Sequence, residues 1–514
     1  MSKPETSLMN RLVSLAKRRG FIFQASEIYG GLNGFWDFGP LGVQLKNNLR
    51  DQWWHDMVEC PPIGPDGKPL SIVGLDSSII QHPRTWHASG HVGGFADLMV
   101  DCRETKLRYR ADHILCLEIS YQKNGDIRSL GLLSAVEGDE PEQALSKKAK
   151  KMIQKHGGGE LVPFDCALAV PLTSLSEAQR AQVIGPDASE PGTLTEPRAF
   201  NLMFQSYVGV FQNDDSKVYL RPETAQGIFL EYKNIMDTSR VRPPFGVAQV
   251  GKSFRNEVTP RNFIFRAREF EQMEMEFFCP PEDGMKWYEF WVAERMRWWE
   301  EAVGCKKENL FGHVIPKEEV AHYSKGTTDI EYRWPFTAPK FGELEGVAYR
   351  TDYDLKQHMA FSKVNLEYID QEAKTRYVPH VVEPACGLTR GVLLLLSEGY
   401  QYDESRASPE WLKIKPSLAP VKAGIFPLVN KDGMPEVAEK LYMDLRQTYT
   451  CQYDAKQSIG KRYARMDEAG TPFCITVDGD TLKDQNVTIR DRDTAQQEHV
   501  SLDNVRAYLA KKLA

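Results

Sequence analysis

Apolar residues recur at helical spacing near the start of the chain, where Leu8, Leu12 and Leu15 line one side and Arg11, Lys17, Arg18 and Arg19 surround them. That spacing predicts a short amphipathic helix laid on the body, with a transit peptide as the alternative reading of so basic a start. Residues 20–54 are rich in glycine and aromatics and then turn helical. Gly39, Pro40 and Leu41 mark the change, and Leu41, Leu45, Leu49 and Trp53 follow at four-residue spacing. From 61 to 198 the pattern breaks into polar pieces interrupted by Gly and Pro, with a Lys-rich helix candidate at 142–156. Long structureless loops are uncommon in compact domains, so this stretch reads as an insertion with small elements of its own. Residues 200–402 carry most of the two-residue alternation expected of strands. After a connector at 413–420 the character changes again. VKAGIFPLV, CQYDA, TPFCITVDG and NVTIRDRDT read as strands; MPEVAEKLYMDLRQTY, SIGKRYARMDEAG and SLDNVRAYLAKKLA read as helices. Their alternation predicts a small α/β sandwich with a partly parallel sheet.

Composition narrows the classes. With 514 residues and 41% hydrophobic content the chain can fill two to four cores, which excludes a disordered protein. No apolar run approaches the ~18 residues of a membrane span; 392–396 is typical of the longest. The nine cysteines are odd in number and form no C-x-x-C pair, which fits a reduced cytoplasm better than a disulfide framework. Net charge is −7, so a polyanionic partner would have to be held by local basic patches. Residues 421–514 hold 14 Lys+Arg and 14 Asp+Glu and are neutral overall.

The chemistry concentrates in VAQVGKSFRNEVTPRNFIFRAREFEQMEMEFF, residues 247–278. Two alternating runs flank a Pro/Asn-bearing loop, which predicts an antiparallel hairpin with a long tip. Period-two geometry puts Arg266, Arg268, Phe270, Gln272 and Glu274 on one face of the second strand. Ala267, Met273, Met275 and Phe277 take the other, mostly buried face with Glu269 and Glu271. At ~3.3 Å per residue, Arg266 to Glu274 spans roughly 26 Å, room for an extended nucleotide with a second ligand beside it. Arg255 and Glu257 share parity on the first strand. Alternating charges on a solvated strand are the bland alternative, but an aromatic between arginines and a carboxylate makes a poor solvated face.

These residues carry a family resemblance. FRNE followed by RAREF resembles motif 2 of the class II aminoacyl-tRNA synthetases, GLTRGVLLLL (387–396) resembles motif 3, and GPLG with its helix resembles motif 1, the dimer-interface element. SEIYGGLNGFWDFGPLG, TWHASGHV, RPETAQGIF, GKSFRNEVTPR and EPACGLTR together resemble glycyl-tRNA synthetases of the homodimeric type. The resemblance covers nearly the whole chain and is weakest at 120–195. It implies an α+β fold: a class II antiparallel-sheet catalytic core with an insertion, then a C-terminal α/β anticodon-binding domain. The implied boundaries are 1–60 for the N-terminal segment and motif 1, 61–198 for the insertion, 199–415 for the core with motifs 2 and 3, and 416–514 for the anticodon-binding domain. It further implies a cytoplasmic homodimer, without membrane attachment, that uses ATP to join glycine to tRNA(Gly) through glycyl-adenylate, releasing AMP and pyrophosphate.

Such a reaction begins when a carboxylate oxygen attacks the α-phosphorus of ATP, a step helped mainly by positioning and by countering phosphate charge. By resemblance Arg255 meets the α-phosphate and Arg390 clamps the γ-phosphate, these two being the catalytic candidates. Both sites suit a guanidinium, which stays charged and presents a planar fork. Asn256, Glu257, Arg266, Phe270, Glu343 and Leu344 complete the implied ATP set. Phe270 stacks on adenine, Glu257 accepts from its amine, Arg266 is a second phosphate contact, and Glu343 (KFGELEG) is the candidate magnesium ligand. Glycine offers only its ammonium, carboxylate and α-hydrogens, and the implied ammonium ligands are Glu223 (RPETAQG), Glu274 and Glu383 (EPACG). Such clustered glutamates repel, and without a cation their pKa values should rise. One methylene of fit discriminates by only ~1–3 kcal/mol, so alanine must be excluded by filling the space its methyl would need.

Two departures stand out. Ala385 occupies a position where family members commonly have serine, so that hydroxyl's role is not carried over; Thr389 or a water are the possible substitutes. Cys102 and Cys166 stand singly where some members have paired cysteines, and His87 and His91 have no third ligand beside them, so no zinc is expected. Trp53 with Trp54, and Trp298 with Trp299, read as core or dimer packing. The 147–155 lysines and the pair Arg490 and Arg492 are open between tRNA contacts and solvated or salt-bridged roles. Two other functions compete: a catalytically silent nucleic-acid-binding relative, and a synthetase for histidine. Retention of every nucleotide contact opposes the first; three glutamates without a side-chain pocket oppose the second. No KMSKS-like loop points to class I.

Overall fold

A computed structural model describes residues 7–137, 141–320, 324–337 and 340–513. They form two units, one of residues 1–89 with 204–514 and one of residues 90–203.

The first unit is organised by a seven-stranded sheet: β1 (Ile72–Gly74), β2 (Phe245–Phe254), β3 (Glu269–Cys279), β4 (Leu310–Val314), β5 (Gly326–Tyr332), β6 (Gly342–Thr351) and β7 (His380–Gly387), in the order β4-β5-β6-β7-β3-β2-β1. All neighbours are antiparallel except β1 and β2. Helices of this unit are α1 (Leu8–Arg19), α2 (Pro40–Trp54), α3 (Ala225–Ser239), α4 (Gly284–Glu301), α5 (Tyr353–Ser362) and α6 (Leu388–Gly399). Alternation sorts the faces of β3. Met273, Met275, Phe277 and Cys279 enter the large core that holds Leu45, Leu49 and Trp53 of α2, Trp287 and Trp291 of α4, and the leucines of α6. Phe278 has the opposite parity and packs with Phe245 of β2 beneath Phe229 and Tyr232 of α3.

Local chemistry explains the helices nearest the site. Pro40 opens α2, where its missing N–H costs nothing. Gly42 lies against the Phe21 carbonyl, and a Cβ there would sit 1.8 Å from that oxygen. Gly391 of α6 likewise faces Leu49 of α2, which a Cβ would meet at 2.6 Å. Buried Arg295 of α4 pairs with Glu345 of β6 at 2.7 Å, and Trp299 donates to the same carboxylate. Trp53, Trp298 and Trp299 are therefore core residues.

Towards the C-terminus this unit holds a second sheet and its helices: β8 (Ala423–Pro427), α7 (Met434–Leu445), β9 (Cys451–Tyr453), α8 (Ile459–Ala469), β10 (Phe473–Val477), β11 (Asn486–Asp491), β12 (Gln497–Ser501) and α9 (Val505–Leu513). The order is β9-β8-β10-β11-β12, parallel across β9, β8 and β10 and antiparallel beyond. It encloses its own apolar core. Strand β12, QEHVS, escapes the pattern because it is a polar edge. Arg490 meets Asp467 at 2.8 and 2.9 Å, and Arg492 donates to the carbonyls of Gly470 and Ile414. Both arginines are buried in local bonds, which closes the choice left by the sequence. Glu468 binds Arg18 and Arg19, tying α1 to α8.

The second unit contains an antiparallel hairpin of Ile114–Lys123 and Asp126–Val136, covered by helix Pro141–Lys155 through Leu145, Ala149 and Ile153. Lys148 turns inward and donates to the carbonyls of Ile184, Gly185 and Pro186, whereas Lys147, Lys150, Lys151 and Lys155 are exposed. Cys102 is buried and bonded to Thr105 and Thr193. Positions 87 and 91 fall in different helices, Pro83–Ala88 and His91–Gly94. The insertion expected at 61–198 begins later in the structure. β1 joins the main sheet, so 61–89 belong to the first unit, and the second unit runs to 203.

Candidate functional site

On the face of the main sheet opposite the large core, β3, β5, β6 and β7 floor a cavity of about 630 Å³. Its lining includes Glu223, Arg255, Glu257, Arg266, Phe270, Glu274, Glu343, Leu344, Glu383 and Arg390, from segments as far apart in sequence as the start of α3 and the first turn of α6. Of the residues singled out by resemblance, Asn256 alone does not line it.

At one end the cavity is cationic and aromatic. Strand β2 stops at Phe254, so Arg255 and Glu257 lie in the loop beyond it rather than on one strand face, and the Glu257 N–H turns back to the Arg255 carbonyl at 2.6 Å. Arg255 donates to the Pro222 carbonyl at 3.0 Å, its guanidinium 5.3 Å from the centre of the Phe270 ring. Arg266 and Arg268 also precede their strand, since β3 starts at Glu269. Arg266 reaches the Glu257 carboxylate at 3.5 Å. Arg268 instead braces the loop, donating to the carbonyls of Glu257 and Asn33. Asn262 and Phe263 within that loop both have φ near +60°, and Phe263 is wedged edge-on against Trp36 at 4.7 Å. Arg390 pairs with Glu343 at 3.0 Å and lies over Phe265 at 4.5 Å. Arg390 first, with Arg255 and Arg266 behind it, holds the Glu343 carboxyl below its usual range. Asp329, across the sheet, moves the other way: burial and the Glu343 charge push it up to about 6.

At the other end the cavity is acidic. One row of cross-strand partners, Gln249–Glu274–Ala385–Gly346–Asp329, runs over five strands. Glu274 is buried and accepts from the Thr224 N–H at 3.0 Å and from the Thr224 hydroxyl. Burial, then the charges of Glu383 and Glu223, pushes its carboxyl up to about 8. Glu383 is raised as well, by burial, with Arg350 opposing. Both carboxyls rise, as expected of clustered glutamates, but a guanidinium that the sequence reading did not foresee stands beside them. Arg350 of β6 donates to Glu383 at 2.9 Å and binds Asp354 of α5 through both sides of its fork at 2.8 and 2.9 Å. Gln226 bridges Glu223 and Asp354 from α3, and His358 of α5 meets its side-chain oxygen at 2.9 Å. Thr389 also lines the cavity, and its hydroxyl oxygen accepts the Glu271 N–H at 3.0 Å.

Sequence reasoning missed Arg350, Asp354 and Glu276. Glu276 was within reach, because it shares strand parity with Glu274. Arg350 and Asp354 were not, because they meet across a strand-to-helix corner.

Chemically, the three guanidinium groups of Arg255, Arg266 and Arg390 with an aromatic face suit a nucleotide polyphosphate. The carboxylates a few residues away suit a small cation. Glu343, kept ionised at the cationic end, fits a hard divalent ion through its oxygens.

Residues 207–399 match the tRNA synthetase class II core domain (G, H, P, S and T), and residues 422–512 match the anticodon binding domain. The chain is 47% identical to the glycine--tRNA ligase of Rhodopirellula baltica over 98% of this chain and 99% of that protein. Identity to the glycine--tRNA ligase of Caldanaerobacter subterraneus is 44%, and to that of Corynebacterium glutamicum 42%, each over 99% of both chains.

Proposed function

The chain belongs to the glycine--tRNA ligase family of class II aminoacyl-tRNA synthetases, and from that premise we propose that its cavity makes glycyl-adenylate from glycine and ATP before the glycyl group passes to tRNA(Gly). The single supporting observation is the meeting of Arg255 and Arg390 with Glu223, Glu274 and Glu383 in one cavity. Arg255 neutralises the α-phosphate while a glycine carboxylate oxygen attacks it. The new O–P bond forms as the bond to pyrophosphate breaks, and Arg390 holds the γ-phosphate of that leaving group. Glu257 and Phe270 orient adenine, with Leu344 beneath. Glu343 is the residue that would hold magnesium brought with ATP, which supplies further charge neutralisation. Glu223, Glu274 and Glu383 surround the ammonium of glycine, which supplies the positive charge that lets Glu274 ionise. A ribose hydroxyl of the tRNA then attacks the carbonyl carbon, and AMP departs.

The working form is a homodimer. Ile28, Tyr29, Leu32, Val210 and Phe211 are large apolar side chains left exposed on the unit that holds the cavity, and a second copy would cover them. The place of action is the cytoplasm, in keeping with nine free cysteines. Among the described residues no helix is long and apolar enough to cross a membrane.

Amino-acid-dependent pyrophosphate exchange with each of the twenty amino acids tests the reading. Signal with glycine alone is expected; signal with histidine, or none at all, rejects it. Arg255→Ala should lower glycine-dependent exchange by about 100-fold or more while circular dichroism stays unchanged.

A further inference from the structure

Two residues past Glu274, on the same face of β3, lies Glu276, wholly buried and outside the cavity lining. The register between β3 and β7 runs from Glu274 opposite Ala385 to Phe277 opposite Val382, which sets Glu276 directly across from Glu383. On its other side β2 presents only Val247. Glu274, Glu276 and Glu383 each offer a carboxylate oxygen within 4.8 Å of the others. Among the described residues no protein donor reaches either oxygen of Glu276.

An ionised carboxylate is badly placed there, desolvated, without a donor and facing a like charge. A neutral carboxyl has one O–H to give, and its neighbours Glu274 and Glu383 are acceptors. We propose that Glu276 is a positioning residue for glycine recognition, a neutral acid whose O–H donates to Glu383 and holds that carboxylate in the glycine nook. The proposal rests on the reading that this nook takes the ammonium of glycine.

The charged groups acting on Glu276 are Glu383 from β7, Arg350 from β6 and Glu274 on its own strand. Glu223 ahead of α3 acts on Glu274 and Glu383, and Asp354 of α5 on Glu383. Burial first, then the Glu383 charge, pushes the Glu276 carboxyl well above its ordinary range against the pull of Arg350. Arg350 fixes Glu383 from one side, and Glu276 fixes it from beneath. That leaves Glu383 a hydrogen-bonded anion although it stands among other acids.

The test compares two variants of the full chain in pyrophosphate exchange. Glu276→Met keeps the bulk and has no donor, so glycine KM should rise by about tenfold or more while ATP KM stays within about twofold. Glu276→Gln keeps an N–H donor and should recover most of that loss, with the pH midpoint of glycine KM in place. Equal losses in the two variants, or an unchanged glycine KM in Glu276→Met, overturn the proposal. Folding defects do not reach a second measurement, the infrared difference between wild type and Glu276→Gln at pH above the Glu274 titration near 8. The wild type should show the carbonyl band of a protonated carboxyl that the variant lacks. An active wild type without that band overturns the proposal alone. A wild type that shows the band but activates no glycine overturns the reading of the site beneath it.

Discussion

At the scale of single residues, the acidic end of the site is governed by charge buried away from water. Glu274 carries the clearest consequence. Its carboxyl is raised to about 8, and in the proposed reaction the ammonium of glycine pairs with its anion. Below that pH a proton must therefore leave as glycine binds, and glycine KM should fall as pH rises toward 8 and then level off. A single linked proton gives a change of up to about tenfold per pH unit. Exchange kinetics at saturating ATP across pH 6 to 9 would check it, and a flat glycine KM would remove Glu274 from the ammonium contact. Glu274→Gln should abolish this dependence and raise glycine KM far more than ATP KM. The same shift has a sign for stability. A carboxyl raised by folding favours the folded state most below its unfolded value, and that contribution is lost as pH rises through about 8. Thermal melts of the ligand-free protein should weaken over that window and recover when glycine and ATP are added together. Individual residues were legible where a motif named them. Arg350 was not, since nothing in YRTDYD shows that a guanidinium will reach Glu383 on one side and Asp354 on the other.

At the scale of elements, periodicity and backbone space decide. The spacing of Leu45, Leu49 and Trp53 was enough to place α2 and its buried side. What it could not show is that Gly42 and Gly391 serve approach rather than flexibility, because both contacts come from segments distant in sequence. Gly42→Ala would drive a Cβ into the Phe21 carbonyl. It should destabilise the protein by about 1–3 kcal/mol in chemical denaturation, the usual cost of overpacking. A variant as stable as wild type would show that this junction yields. The ends of β2 and β3 were also misjudged. Alternation in FRNE and RAREF continues past the ladder, but backbone pairing stops at Phe254 opposite Glu269, and the loop between them turns left-handed at Asn262 and Phe263. Arg255, Glu257 and Arg266 thereby gain the freedom to converge from a loop, which a continued strand would deny them.

At the scale of the whole molecule, the exposed apolar side chains of the first unit set the prediction. Sedimentation equilibrium should give twice the chain mass. Ile28→Asp with Phe211→Asp, both at exposed positions, should give the monomer with far-ultraviolet dichroism unchanged; a pair of substitutions without effect on mass would place the interface elsewhere. The sequence alone determined the order of the synthetase core and the anticodon-binding domain, the α/β character of the last ninety or so residues, and most of the charged side chains that meet in the cavity. Those features are written in local period and in short motifs, which depend on neighbours along the chain. Only the tertiary structure decided that β1 belongs to the main sheet, that Arg350 sits among the acids, and that Glu276 faces Glu383. Each depends on strand order and register between segments far apart in the chain, and a pattern read residue by residue carries neither.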